Sequence, residues 1–251
     1  MKSVSELKVQ IFADGADKAS MLELYRKPYI KGFTTNPTLM RKAGVTDYER
    51  FAHEILQSIP DRPISFEVFA DEEAEMERQG RKIARWASNV YVKIPVTNTR
   101  CEPMYNLIRR LSADGIQVNA TAVLALDQVG HIALALRGGA PSYISVFAGR
   151  VADTGRDPIP LMKSALELMA PEPSTQLVWA SPRELLNIFQ ADEIGCHIIT
   201  VTSDVLKKLA LVGKDLLEYS LETVRMFHND AAQSKFKLEC APEERPVGSL
   251  S

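Results

Sequence analysis

The stretch Val90-Tyr91-Val92-Lys93-Ile94-Pro95-Val96 is a short apolar run with one lysine at its centre. It is too short for a buried helix and rich in β-branched residues, so it reads as a buried strand. On its N-terminal side lies a helical stretch, residues 72–87, with Met76, Ile83 and Trp86 on one face. Before that comes another apolar run, residues 64–69. On its C-terminal side a helical stretch at 104–111 leads to a strand at 117–123. The same alternation extends both ways and yields eight expected strands, at 9–14, 32–36, 64–69, 90–96, 117–123, 143–149, 177–181 and 197–202. Helical periodicity also marks 47–59 (Tyr48, Phe51, Ile55, Ile59) and 182–190, and Asp204 is placed to cap a helix at 205–211.

Strands that alternate with helices imply parallel βαβ units. Eight units, with no glycine-rich dinucleotide fingerprint after the first strand, favour a single (β/α)8 TIM barrel over a doubly wound sheet. Gly138-Gly139 follows a helical stretch and precedes a strand, the wrong order for a phosphate loop. The 251 residues suit one barrel. Residues 214–237 read as a C-terminal helical extension, interrupted near Asn229 and striped with Leu216, Leu217, Leu221, Val224 and Phe227. That stripe suggests packing on the barrel or self-association into a homo-oligomer. The expected domain is 1–238, with a disordered tail at 239–251 that is rich in proline, glutamate and serine.

Composition excludes several classes. The net charge is −2, and no basic run marks a nucleic-acid partner. No segment reaches the roughly 18 apolar residues of a membrane span, and no signal peptide opens the chain, so a cytoplasmic location is expected. Cys101, Cys196 and Cys240 are widely spaced, and the four histidines lack ligand spacing.

Side chains alternate faces along a strand, and in a barrel one parity points inward. Polar inward residues are tolerable only near the C-terminal mouth. Lys93 opposes Val92, Ile94 and Val96; Asp14 opposes Val9, Ile11 and Ala13. Ser65 and Glu67 oppose Ile64, Phe66 and Val68, whereas Asn119 and Thr121 oppose Val118, Ala120 and Ala122. Ser145 and Phe147 oppose Ile144, Val146 and Ala148, Thr34 and Asn36 oppose Phe33 and Thr35, and Ser181 opposes Val178 and Ala180. Seven strands thus send polar groups to one side. Unpaired burial would cost several kcal/mol for each group, roughly 2–7 kcal/mol on transfer scales. A polar cluster at the barrel mouth resolves this.

Lysine is among the residues least often fully buried. Lys93 could snorkel to solvent or pair with Glu67; the alternative is a desolvated amine that attacks a carbonyl carbon. Asp14 and Glu67 fit either ion pairing or proton transfer. Arg150 and Arg183 follow the sixth and seventh strands. With Ser181 they form a candidate phosphate anchor, because guanidinium groups bind phosphate bidentately and late-strand loops of this barrel commonly hold phosphate. The segment from Asp153 to Asp157 reads as a solvated loop.

Six segments together resemble the transaldolase family, including its small fructose-6-phosphate aldolase-like branch. They are Ile11-Phe12-Ala13-Asp14, Gly32-Phe33-Thr34-Thr35-Asn36-Pro37, Val92-Lys93-Ile94-Pro95-Val96-Thr97, Asn119-Ala120-Thr121-Ala122, Ile144-Ser145-Val146-Phe147-Ala148-Gly149-Arg150 and Ala180-Ser181-Pro182-Arg183. The resemblance implies that Lys93 is a Schiff-base lysine and Asp14 the acid/base at the C4 hydroxyl. It implies that Glu67 and Thr121 hold a proton-shuttling water. Asn36, Asn119 and Ser145 would hold substrate hydroxyls; Arg150, Ser181 and Arg183 the phosphate; Thr34 and Phe147 would shape the pocket. The implied partners are sugar phosphates, a ketose donor and an aldose acceptor, with no metal or organic cofactor.

By the same resemblance, transaldolases tend to carry Glu and Phe where the aldolases carry Gln and Tyr. Glu67 and Phe147 place this chain with the former, as a carrier of a dihydroxyacetone unit. An aldolase that releases free dihydroxyacetone, or a non-catalytic sugar-phosphate binder, are the alternatives. Thr38, Ala148 and Phe69-Ala70-Asp71 depart from the family pattern without removing a catalytic group.

Overall fold

Eight parallel strands close into a barrel in chain order, β1 pairing with both β2 and β8. The computed structural model describes residues 2–238. The strands are β1 Gln10–Asp14, β2 Ile30–Thr34, β3 Ile64–Glu67, β4 Val90–Pro95, β5 Val118–Val123, β6 Ser142–Val146, β7 Thr175–Trp179 and β8 Ile198–Thr202. The helices are α1 Lys18–Tyr25, α2 Pro37–Lys42, α3 Tyr48–Ser58, α4 Glu73–Ala84, α5 Tyr105–Ala113 and α6 Leu126–Leu136. They continue with α7 Ala148–Ala152, α8 Pro158–Met169, α9 Leu186–Glu193, α10 Ser203–Lys207 and α11 Leu216–Ser234.

Local chemistry sets the helix starts. Asp17, Asp47, Asp157 and Asp215 each accept a hydrogen bond from first-turn amides of the helix that follows, satisfying donors that have no intrahelical partner. Asp204 is not a cap: α10 starts at Ser203, so the carboxylate lies inside the first turn, where it still faces the helix's positive end. Residues 182–185 precede α9, and β6 ends before Phe147, where the chain turns directly into α7. Asn229 does not break α11; an asparagine costs an exposed helix only a few tenths of a kcal/mol, about 0.7 at most.

Alternation along the strands builds two cores. Val92, Ile94, Val118, Ala120, Ile144, Val146, Leu177, Trp179, Ile199 and Val201 face the helices. Phe12, Tyr91, Tyr143, Val178 and Ile198 form a separate buried cluster inside the barrel. Tyr91 and Tyr143 stack with ring centroids 3.9 Å apart, and Phe12 meets Tyr143 edge-on at 5.9 Å. Gly32 makes room for this layer, since a Cβ there would stand 2.6 Å from the Phe12 ring. The aromatic layer lies one inward position below Asp14, Lys93 and Ser145 and floors the cavity above it.

The chain divides into two units on either side of the junction between Ala210 and Leu211. The first holds the barrel. In the second, α11 is one continuous helix. The disordered tail expected at 239–251 lies outside the described residues. Among the described residues, no helix is long and apolar enough to cross a membrane.

Candidate active site

A cavity of about 450 Å³ opens at the C-terminal end of the barrel. Its walls include Asp14, Thr34, Asn36, Glu67, Lys93, Thr121, Ser145, Phe147, Arg150, Ser181 and Arg183. Of the site residues expected from the sequence, Asn119 alone is absent from this wall. It is fully buried; its amide donates to Ser65 Oγ at 3.0 Å and its carbonyl accepts from Ser145 Oγ at 2.7 Å. Asn119 therefore braces Ser145 from beneath instead of facing the cavity.

Register places the central residues. Lys93 on β4 is level with Glu67 on β3 and Asn119 on β5. Lys93 is 6% exposed, and its Nζ lies 3.0 Å from Glu67 Oε2 while donating to the Thr35 carbonyl at 2.9 Å. Pairing with Glu67 therefore does occur, and it occurs inside the cavity. The Thr35 contact is a hydrogen bond and the Glu67 contact an ion pair; burying such a pair roughly breaks even in stability, so its retention is not explained by packing. Thr121 Oγ1 is buried with no hydrogen-bond partner among the described residues. It sits just before Ala122, whose positive φ of 60° interrupts the β5–β6 register. An unsatisfied hydroxyl costs about 1–3 kcal/mol, so its position is better suited to a water or ligand than to folding.

Asp14 faces the cavity only in part, and its enclosure pushes the carboxyl above the usual carboxylate range. The Lys93 charge and the hydrogen bond from Thr34 act in the opposite sense, and Glu67 adds slightly to the rise. Thr34 Oγ1 donates to Asp14 Oδ1 at 2.8 Å and lies 2.5 Å from Thr200 Oγ1. Asn36 uses its Oδ1 to cap α2 through the Leu39 amide, at 3.0 Å. That leaves the amide nitrogen for a ligand.

On β7 the parity reading needs correction. Val178 belongs to the interior cluster, so Val178 and Ala180 are the inward positions. Ser181 reaches the cavity because its backbone is left-handed, with φ at 61°, and re-aims the chain after the strand. Gly149 approaches so closely that a Cβ would lie 1.6 Å from the Ser181 carbonyl oxygen. Gly149→Ala is accordingly expected to cost about 1–3 kcal/mol of stability, as overpacking does; a urea midpoint equal to wild type would contradict this contact.

Arg183 donates from Nε to Asp153 Oδ1 at 2.8 Å, pairs again through Nη2, and bonds Ser181 Oγ at 2.9 Å. The loop from Asp153 is therefore not merely solvated, and hydrogen bonding from Arg183 holds the Asp153 carboxyl below its usual range. Arg150 is exposed, its guanidinium carbon 5.6 Å from the Phe147 ring centroid. Two guanidiniums and a hydroxyl thus border the same end of the cavity. Thr200 and Thr202 on β8 also line it and were not foreseen. The alternation Ile199-Thr200-Val201-Thr202 carried the signal, because the apolar parity there is the outward one. Among the described residues, no group of three or more His, Cys, Asp or Glu side chains is placed to hold a metal ion.

A sequence profile described as Transaldolase/Fructose-6-phosphate aldolase matches residues 11–240. A protein named "Probable transaldolase" from Dehalococcoides mccartyi is 35% identical over 202 residues, covering 80% of this chain and 90% of that protein. Proteins of the same name from Clostridium acetobutylicum and Methanococcus maripaludis are 36% and 33% identical over 202 residues, each covering 80% of this chain and 89% of theirs. Among solved structures, 2,3-dimethylmalate lyase, a member of the PEP mutase/isocitrate lyase superfamily, superposes with TM-score 0.53 at 15% identity, covering 97% of this chain and 89% of its own. A citrate synthase superposes with TM-score 0.57 at 11% identity, covering 88% and 95%. At such low identity these two speak to the barrel fold alone.

Proposed function

The chain belongs to the Transaldolase/Fructose-6-phosphate aldolase family, and from that premise we propose that it transfers a dihydroxyacetone unit from a ketose phosphate to an aldose phosphate through a Schiff base on Lys93. The observation that carries the reading is the Lys93–Glu67 contact of 3.0 Å inside a cavity whose wall also holds Asp14, Thr121, Arg150 and Arg183. A buried amine beside a carboxylate can pass its proton to that carboxylate and attack a carbonyl carbon.

In this reading the neutral amine adds to C2 of fructose 6-phosphate or sedoheptulose 7-phosphate. The carbinolamine loses hydroxide as water, protonated by way of Glu67 and a water on Thr121 Oγ1, and an iminium forms. Asp14 then takes the proton of the C4 hydroxyl. The C3–C4 bond breaks, its electron pair flows into the iminium, and the aldose phosphate leaves. A three-carbon enamine stays on Lys93 until its carbon attacks a second aldehyde, Asp14 returns the proton to the new hydroxyl and the iminium re-forms; water then adds to that iminium, and the product ketose phosphate leaves with Lys93 restored as an amine. Arg150, Arg183 and Ser181 hold the phosphate, a dianion competing with Asp153 for the Arg183 fork. Ser145 and Asn36 meet substrate hydroxyls, with Asn119 fixing Ser145.

Sodium borohydride with fructose 6-phosphate tests the covalent step. A stable three-carbon adduct on the peptide carrying Lys93 is expected; no adduct, or an adduct on another lysine, overturns the reading. Phe147 bears on transfer against release, because it lines the cavity without a hydroxyl to bond a water. Phe147→Tyr supplies that hydroxyl. Acceptor-independent formation of free dihydroxyacetone is then expected to rise roughly 100-fold, the low end of what a positioned proton donor contributes. A wild-type protein that already releases dihydroxyacetone as fast without an acceptor as with one would assign it to aldol cleavage instead.

A further inference from the structure

We infer that Thr200 is a positioning residue for Asp14, acting through Thr34 to hold the acid/base carboxyl in one place in both of its protonation states. The inference rests on the proposed role of Asp14 in proton transfer. Its observations are geometric. β1 lies between β2 and β8, and Thr34 of the one and Thr200 of the other meet beside it inside the barrel. Thr200 Oγ1 is 2.5 Å from Thr34 Oγ1, which is 2.8 Å from Asp14 Oδ1. Both threonines are buried, 3% and 5% exposed for Thr34 and Thr200, and both line the cavity.

Each hydroxyl has one proton, so the chain has a direction. An ionised Asp14 can only accept. Thr34 must then spend its proton on the carboxylate, and the contact with Thr200 exists only if Thr200 donates. A hydroxyl that accepts one bond donates the next more strongly, so Thr200 reinforces the bond that stabilises the carboxylate. When Asp14 carries the proton on Oδ1, the order reverses. Asp14 donates to Thr34, and Thr34 needs an acceptor, which Thr200 supplies. The carboxyl can thus gain and lose a proton while its partners stay still, as an acid/base must across a turnover.

Charged groups reach Asp14 from two other strands: Lys93 on β4 favours the ionised form, and Glu67 on β3 opposes it. Neither contacts Thr200 by hydrogen bond among the described residues. Removing the Thr200 hydroxyl therefore withdraws the charge-assisted arm of the chain and leaves those two influences in place. Its loss is felt more by the carboxylate than by the neutral acid.

The test is a carbon-13 NMR titration of the aspartate carboxyls in the ligand-free protein, with the Asp14 signal assigned by its loss in Asp14→Asn. Thr200→Val is expected to move the Asp14 midpoint upward by about 0.5–1 pH unit, the worth of one hydrogen bond relayed through a hydroxyl. Thr200→Ser is expected to restore the wild-type midpoint. In turnover, the acid limb of kcat/KM should shift in the same direction by the same amount, with the borohydride adduct still forming. An unmoved midpoint in Thr200→Val overturns the inference, and so does a serine variant as shifted as the valine one, which would mean packing and not the hydroxyl. A wild-type protein without an adduct on Lys93 would instead remove the functional reading, while the titration still reports whether the hydroxyl chain governs Asp14.

Discussion

Lys93→Met is expected to abolish transfer, lowering kcat by roughly 10⁴-fold or more, as the loss of a covalent nucleophile does. Methionine keeps most of the side-chain volume and removes the amine, so the borohydride adduct disappears with the activity. Folding should survive. Glu67 loses its partner, yet its side chain is 20% exposed toward the cavity and can be hydrated. Removing one partner of a buried pair leaves the other charge uncompensated, a loss of roughly 3–5 kcal/mol that hydration of Glu67 from the cavity reduces. The melting temperature is therefore expected somewhat below that of wild type, with the protein still folded. Turnover above about 1% of wild type would show that no covalent step at Lys93 is required, since general effects of binding and orientation are too small to hide such a loss.

Asp14→Asn separates the two chemical stages. The amide cannot take the C4 hydroxyl proton, so cleavage is expected to slow by about 10²–10⁴-fold, the range for a lost general base. Schiff-base formation does not need that proton, so borohydride should still trap an adduct, now carrying the uncleaved ketose. The same variant tests the electrostatics. Burial raises the Asp14 carboxyl above its usual range, whereas in the unfolded chain it titrates near about 3.9. The folded state therefore binds this proton more tightly than the unfolded state does. The stabilisation that follows is fully present below the unfolded value and is lost as pH rises through the raised folded value. Above the raised folded value the wild-type protein holds a carboxylate that its surroundings disfavour, and asparagine relieves it. The melting-temperature advantage of Asp14→Asn over wild type should therefore grow as pH rises and narrow on acidification. A gap that widens on acidification would reverse the assigned sign. A gain in stability with a loss in rate is the usual signature of a group kept for chemistry.

The apolar parity of each strand made most of the site legible. Lys93, Glu67, Asp14, Thr121, Thr34 and Ser145 each interrupt or oppose an apolar alternation, and burial of the opposite face allows them only one side to point. Thr200 follows the same rule and was open to the same reading, through Ile199 and Val201. Ser181 is different. Its strand parity points away from the cavity, and only the left-handed backbone at φ 61° brings it back. Alternation carries no information once the chain leaves extended geometry.

Asn119 shows a second limit. Parity places it inside the barrel, but depth along the strand decides whether an inward residue meets the cavity or the residues beneath it. Depth follows from the stagger of neighbouring strands and from what fills the floor, here Tyr91, Tyr143 and Phe12. Asp153 shows a third. Nothing near it in sequence distinguishes a solvated loop acid from the partner of Arg183, thirty residues away.

The sequence by itself therefore determined the barrel, the family and the residue types at its mouth, because a period of two and a buried outer face are local properties that each strand writes independently. The tertiary structure alone decided which of those residues share a surface, that Lys93 stands 3.0 Å from Glu67, that Asn119 lies below the cavity, and that Thr200 and Thr34 join hands with Asp14 across three strands. Those outcomes depend on register between strands, on one left-handed residue and on the packing of an aromatic floor, none of which is a property of any single stretch of chain.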